Sequence, residues 1–339
     1  MEHLLDIKDL YVTYTTDEAI FHAVNGLDLT LYKGETLGLV GETGAGKTTT
    51  ALSIMRLLPD RIGKIEKGSI VLDGHDIIAA SDNDMRVLRG NLVSMIFQDP
   101  MTSLNPTIRV GDQVQEVLEI HQPELSKEGA GQKVDEIFRL VGLPVERKVE
   151  YPHQFSGGMR QRIVIAIALA CEPQLLLADE PTTALDVTIQ AQVLELMQEL
   201  KEKLNMATIL ITHDLGVVVE ICDRVAIMYS GEIIEVGTLR DIFTGDAHHP
   251  YTDGLFGSIP DLTKKESRLH PIDGMMPDPA ALPSGCKFHE RCPKCIEICP
   301  VQHPPAFKIS ETHSIRCHLF ASEVTEEVDA HASEETVKE

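Results

Sequence analysis

The segment Gly41-Glu42-Thr43-Gly44-Ala45-Gly46-Lys47-Thr48 constrains this chain more than any other. It fits G-x-x-x-x-G-K-[ST] in full, and its surroundings fit as well. The apolar run Thr36 to Val40 before it reads as a buried strand, and Thr49 to Leu58 after it carries a helical pattern. Glycines let backbone N–H groups curl around phosphates, and the helix N-terminus adds its dipole. The motif assigns Lys47 to the β- and γ-phosphates of a nucleotide and Thr48 to Mg2+.

Three further short apolar runs follow, at Leu175 to Ala178, Thr208 to Ile211 and Val225 to Met228. Long helical patterns such as Val187 to Leu204 lie between them. Strands alternating with helices predict a mainly parallel sheet covered on both faces. Residues 1 to 35 differ: Leu5, Ile7, Leu10, Val12 and Tyr14 suggest short extended segments, an antiparallel accessory sheet. Residues 107 to 172 carry helical patterns, at Val110 to Glu119 and Gly131 to Val141, and no clear strand. They predict a helical subdomain inserted in the α/β core.

The character changes after about residue 250. Pro271, Pro277, Pro279 and Pro283, with Gly274 and Gly285, give residues 270 to 285 the composition of a linker. A cysteine cluster follows. Residues 321 to 339 then hold seven acids against one base, Lys338, which predicts a solvated, disordered tail. The expected divisions are therefore 1–250, 251–320 and 321–339.

With 53 acidic and 30 basic residues, the chain has a net charge of −23. That balance argues against nucleic acid as a partner, because such binding rests on Lys and Arg neutralising phosphates. The opening MEHLLDIKDL lacks the basic start and apolar run of a signal peptide. No stretch approaches the roughly 18 consecutive apolar residues that a membrane span needs. Membrane association is therefore expected through a partner.

Two more motifs bear on chemistry. Leu175 to Ala178 ends in Asp179 and Glu180. Beside a phosphate loop, the first carboxylate suits Mg2+ and the second suits polarising an attacking water. Ser156-Gly157-Gly158 precedes a long apolar helix, where a hydroxyl and open N–H groups suit a second anion. Taken alone, Ser156 would read as a plain helix cap.

Five elements in order resemble the nucleotide-binding subunits of ABC transporters: the loop 41–48, Gln98, Ser156-Gly157-Gly158, Asp179-Glu180, and His213 after an apolar strand. The resemblance spans residues 1 to about 250. Within that family, Gln98 to Pro106 and Pro181 to Thr188 resemble the dipeptide, oligopeptide and nickel importers, and His249-Pro250-Tyr251-Thr252 looks like the start of their C-terminal extension. The implied fold is a P-loop NTPase core of ABC type with an antiparallel accessory sheet, an inserted helical subdomain and a small Cys-rich extension.

The resemblance also implies roles. Residues Gly41 to Thr49 would surround ATP, and Tyr14 would stack on adenine, with Tyr11 the competing candidate. Thr48, Gln98 and Asp179 would serve Mg2+, with Gln98 sensing the γ-phosphate. Glu180 and His213 would act on the γ-phosphate and its attacking water. Ser156, Gly157 and Gly158 would contact ATP held by a partner, and Asp186 would lie at the dimer interface. The partners implied are a paralogous ATPase, two membrane permeases and, indirectly, a solute-binding protein, with the chain on the cytoplasmic face of the membrane. The cargo implied is di- or oligopeptide, with nickel or another small solute as the alternative. A soluble ABC ATPase is the more distant one.

Five of the seven cysteines fall at Cys286, Cys292, Cys295, Cys299 and Cys317. The run C-x2-C-x3-C-P resembles part of a ferredoxin-type segment. The importer family carries four cysteines at the spacings of Cys286, Cys292, Cys299 and Cys317, which implies a [4Fe–4S] cluster and leaves Cys295 as a fifth thiol. Structural zinc is the alternative, because it also accepts four thiolates. Cys171 and Cys222 sit in apolar surroundings and read as core.

Overall fold

The computed structural model describes residues 2–99, 103–183, 185–258 and 272–321. Residues 100–102 and Ala184 of the motifs quoted above lie outside the described residues, as do 259–271 and all but the first residue of the acidic segment 321–339.

Two 13-residue strands open the chain, β1 (His3–Thr15) and β2 (Ile20–Tyr32). They pair antiparallel, and β1 also pairs antiparallel with β4 (Gly63–Leu72). With β5 (His75–Asp76) they make a four-stranded sheet in the order β2-β1-β4-β5. The accessory sheet is therefore antiparallel as expected, but its first strands are long rather than short. Bulges along β1 bend it and let its apolar residues face one core.

The second sheet carries the chemistry. β3 (Thr36–Val40), β6 (Val93–Ile96), β7 (Leu175–Asp179), β8 (Ala207–Thr212) and β9 (Arg224–Tyr229) run parallel. Nearly every residue in them is buried, as helices on both faces require. The expected strands are all present. β6 was not expected: four residues with a Ser among them are too short to declare a period.

Helices α1 (Lys47–Ile54) and α2 (Asp82–Asn91) precede the helical region. That region holds α3 (Val110–His121), α4 (Lys127–Leu140) and α5 (Gly157–Leu169), in place of the expected Val110 to Glu119, Gly131 to Val141 and the apolar helix after the Ser-Gly-Gly. It packs on α6 (Val187–Leu204) and α7 (Leu215–Ile221) in one core that includes Phe138, Ile163, Leu194 and Val218. A second core, with Leu27, Leu39, Ile54 and Ile70, fills the space between the two sheets and α1.

The C-terminal part shares the main sheet. β10 (Glu232–Thr238) pairs antiparallel with β9. After α8 (Leu239–Thr244) and α9 (Pro250–Gly257), the short strands β11 (Phe307–Lys308) and β12 (Ser314–Ile315) add to the β10 edge. Buried Glu235 ties these pieces together. One oxygen takes His248 Nδ1 and His313 Nε2 at 3.0 Å each; the other takes the His249 N–H at 2.8 Å and the Thr252 hydroxyl at 2.6 Å. Burial pushes the Glu235 carboxyl up, but these donors outweigh it and hold the group at about 2.

Candidate active site

Strand β3 runs into the loop 41–46, and the loop runs into α1. Gly41 has no room for a side chain, since a Cβ there would overlap the Met228 carbonyl oxygen of β9. Gly46 sits at φ 102° and caps α1, a conformation open to glycine. Lys47 turns back into the loop, and its Nζ donates to Gly41 O at 2.6 Å and Glu42 O at 2.9 Å. Burial lowers its pKa, opposed by the carboxylates of Glu180, Asp179 and Glu42.

The end of β7 faces this loop. Thr48 Oγ1 donates to Asp179 Oδ2 at 2.8 Å. Burial raises the Asp179 pKa, and the Thr48 hydrogen bond opposes the rise. Glu180 stands just beyond the strand at φ 46°, with its N–H bonded to Ile211 O of β8 at 2.9 Å. Its Oε2 accepts from Gln98 Nε2 at 2.8 Å and from the Thr183 hydroxyl at 2.9 Å, while His213 Nδ1 lies 3.0 Å from Oε1. Burial raises its pKa, but the bonds from His213, Thr183 and Gln98 together win, so the carboxyl is held below its ordinary value. Three residues spread from 98 to 213 thus converge on one carboxylate.

Tyr14, Thr43, Gly44, Gly46, Lys47, Thr48, Thr49, Gln98, Asp179 and Glu180 line one cavity of about 370 Å³. The Tyr14 hydroxyl donates to Thr49 Oγ1 at 3.2 Å. Tyr11 lies elsewhere, under Lys67 and in a larger cavity of about 640 Å³ with Asp28, Glu232 and Arg316. That cavity is bigger but holds no phosphate loop; the loop lines the smaller one.

Two sequence profiles match this chain: "ABC transporter" over residues 24–183, and "Oligopeptide/dipeptide transporter, C-terminal region" over 234–299. The dipeptide transport ATP-binding protein DppD of Bacillus subtilis is 51% identical over 321 residues, 94% of this chain and 95% of that one. The oligopeptide transport ATP-binding protein AppD of the same organism is 47% identical over 96% of this chain and 100% of its own length. The chain belongs to the ATP-binding subunits of ABC transporters, in the oligopeptide/dipeptide branch. It is an ABC ATPase. A solved dimer of the ATP-binding cassette MJ0796 in a post-hydrolysis state with ADP and Pi shares the fold. It has a TM-score of 0.62 at 27% identity and covers 70% of this chain and 99% of that one.

The remaining signature residues of this ABC subunit lie apart from the cleft. Ser156 caps α5, its Oγ accepting from the Met159 N–H at 3.4 Å. Gly157 and Gly158 pack against the start of α6: a Cβ on Gly157 would lie 3.6 Å from Leu185, and one on Gly158 would overlap Ile189. Asp186 caps α6, accepting from the Ile189 N–H at 3.0 Å. None of these four is among the residues lining the cavity.

In the extension, Cys299 and Cys317 are buried, Cys286 and Cys292 half-buried, and Cys295 exposed. Cys286 N–H donates to Cys299 O at 2.8 Å. The expected metal site does not appear as a ready-made one: among the described residues, no group of three or more His, Cys, Asp or Glu is arranged to hold a metal ion. Cys171 and Cys222 are buried, and burial pushes the Cys222 thiol up to about 12. No helix among the described residues is long and apolar enough to cross a membrane.

Sequence reading missed three contributors to the cleft. Phe21 stands directly opposite Tyr14 in the β1–β2 register and lines the same cavity. An aromatic seven residues after Tyr14, across a short turn, was the available signal. Thr183 holds Glu180. Pro279 of the extension also lines the cavity, and its carbonyl accepts from the His22 N–H at 2.8 Å; nothing in its proline-rich surroundings marked it.

Proposed function

We propose that this chain powers import of di- or oligopeptides by hydrolysing ATP at sites shared with a second ATPase. The observation that carries this reading is the match of two profiles in one chain, the cassette and the peptide-transporter C-terminal region. DppD and AppD, named for dipeptide and oligopeptide transport, support the cargo class.

In this reading residues 1–250 are the nucleotide-binding body, and the helical subdomain spans about 107–172. Lys47 and the N–H groups of the loop 41–49, other than those of Glu42 and Ala45 that bond within the protein, hold the phosphates, and Tyr14 stacks on the base. Thr48, Gln98 and Asp179 would hold Mg2+, whose charge would offset the burial that disfavours the Asp179 carboxylate. Glu180 polarises the attacking water, for which its anionic state is suited. His213 donates to the γ-phosphate in the transition state. Ser156, Gly157 and Gly158 cannot serve the cleft of their own chain from where they lie, so they serve the partner's ATP, with Asp186 at the seam. The partner ATPase is a paralogue, and closing of the pair drives two permeases on the cytoplasmic face of the membrane. A solute-binding protein delivers the cargo.

We also propose that residues 251–320 form an extension in which Cys286, Cys292, Cys299 and Cys317 ligate one [4Fe–4S] cluster. The five thiols lie close enough to feel one another's charge, Cys295 included, and Cys295 is the exposed one. Structural zinc is the alternative, because it also accepts four thiolates. The cluster would supply cross-links to a segment poor in large apolar side chains.

The test is reconstitution with the permeases and binding protein. A peptide-loaded binding protein should raise ATP hydrolysis several-fold. A rise with nickel and none with peptide would change the cargo. Failure to co-purify with any permease would remove the transport role.

A further inference from the structure

Glu42 brings a carboxylate into the phosphate loop. It is the second position of a loop built to receive polyphosphate, and a carboxylate there repels the ligand unless it is compensated. Its compensation comes from far along the chain. Arg291 of the extension forks onto it, with NH1 3.2 Å from Oε2 and NH2 3.2 Å from Oε1. The Arg291 side chain is only 7% exposed, and Nε donates to Asp273 O at 3.0 Å. Its guanidinium also lies over the Tyr229 and Phe288 rings, 5.7 and 5.9 Å from their centroids. A second element of the extension holds the same residue: the Glu42 N–H donates to the Tyr251 hydroxyl of α9 at 3.0 Å. Tyr251 and Tyr229 are themselves fully buried.

We infer that Arg291 is a positioning residue for ATP binding, which neutralises Glu42 and fixes the first turn of the phosphate loop from behind. Neither Arg291 nor Glu42 lines the cavity with Lys47 and Thr48, so the pair acts through the loop rather than on the ligand. Lys47 is tied to the carbonyls of Gly41 and Glu42, so the backbone that Arg291 and Tyr251 steady is the backbone that orients Lys47. A loop held in place before binding loses less freedom when the ligand arrives. A planar fork suits this task where an ammonium would not, because two parallel N–H···O bonds fix the carboxylate's angle as well as its charge.

The inference rests on the reading that residues 41–48 hold ATP, so the experiment carries a separate control for it. Binding of a fluorescent ATP analogue is measured on the full-length chain, with ATP KM and kcat measured in the assembled complex. Arg291→Ala should weaken binding on the order of 10-fold, about 1.4 kcal/mol, through KM with kcat changed less than about twofold. The deficit should shrink at high salt, because Glu42 is partly exposed. Arg291→Lys should recover part of the loss. The deciding variant is Arg291→Ala combined with Glu42→Gln. Removing the stranded carboxylate should bring affinity back to within about threefold of wild type. Wild-type affinity in Arg291→Ala would overturn the inference. So would a double variant as weak as Arg291→Ala alone, which would make Arg291 a packing residue for the extension. If Arg291→Ala does not fold, Arg291→Lys takes its place in the same pairing. Lys47→Ala binding ATP normally would instead sink the reading of the loop itself.

Discussion

The nucleotide cleft and the C-terminal extension solve the problem of placing polar groups by different means. In the cleft, buried parallel strands end together, and each end delivers one group: the phosphate loop after β3, Asp179 and Glu180 at β7, His213 after β8. Backbone register does the positioning. In the extension, strands β11 and β12 have only two residues each, and side chains do the positioning instead. Glu235, on the β10 edge to which the extension adds, gathers four donors, and Arg291 of the extension gathers a carboxylate, a hydroxyl and a carbonyl. The cleft should therefore tolerate loss of a functional side chain without unfolding, whereas the C-terminal part should open when buried Glu235 is lost.

The largest effect is expected at the thiols. Cys317→Ser should abolish the iron and sulfide of anaerobically purified protein, while Cys295→Ser keeps both. Iron and sulfide analysis reads this directly. Loss in Cys295→Ser but not Cys317→Ser would reassign the ligands, and stoichiometric zinc without iron would replace the cluster.

Glu235→Ala should come next. It leaves His248, His313, the His249 N–H and the Thr252 hydroxyl without their buried acceptor, at a cost of about 3–5 kcal/mol. Limited proteolysis and thermal melts should show the C-terminal part opening while ATP-analogue binding by the remainder outlasts it. A melt unchanged from wild type would break the contrast between the two regions.

Acidification should act on the same residues more gently. His249 is buried as the neutral imidazole and sits at about 4 against an ordinary 6.5, so its contribution is full above pH 6.5 and is lost as pH falls toward 4. Glu235, held at about 2 against an ordinary 4.5, loses its contribution between pH 4.5 and 2. His248 runs the other way. Its two ring nitrogens face Glu235 and the Gly245 carbonyl, both acceptors, so it is held as imidazolium with a raised pKa. That contribution is full below pH 6.5 and fades as pH climbs through the raised value. Amide exchange of β10 and α9 should quicken from pH 6.5 to 4, after correction for intrinsic rates, by on the order of 1–3 kcal/mol. Exchange that slows over this range would contradict the assignment of His249.

The smallest effect separates the two tyrosines. Tyr14→Ala should weaken ATP by about 1 kcal/mol, the scale of one aromatic contact. Tyr11→Ala, in the other cavity, should change ATP affinity by less than about twofold. Equal losses would mean that the accessory sheet acts only as a scaffold.

The same difference between the regions explains what could be read from the residues. Phosphate chemistry dictates Gly41, Gly46, Lys47 and Thr48 at fixed spacing on one strand, loop and helix, so the cleft announced itself locally. Gln98 and Glu180 are 82 residues apart and meet only through the fold, so resemblance named each of them and only the fold shows their pairing. Nothing in the residues around Arg291 marks it, because its partner is 249 residues away. Glu235 and its histidines carry no period at all, since tertiary contacts rather than local pattern select them. β6 was hidden by its length.

The central claim is that this cleft hydrolyses ATP with Glu180 polarising water, and Glu180→Gln tests it most directly. Gln keeps the shape and the possible bonds to Gln98 and Thr183 but removes the negative charge. The assembled complex carrying it should still bind ATP and remain closed on it, while hydrolysis at this site falls on the order of 10²–10⁴-fold, the usual worth of a general base. ATP hydrolysis at this site at close to the wild-type rate would contradict the account.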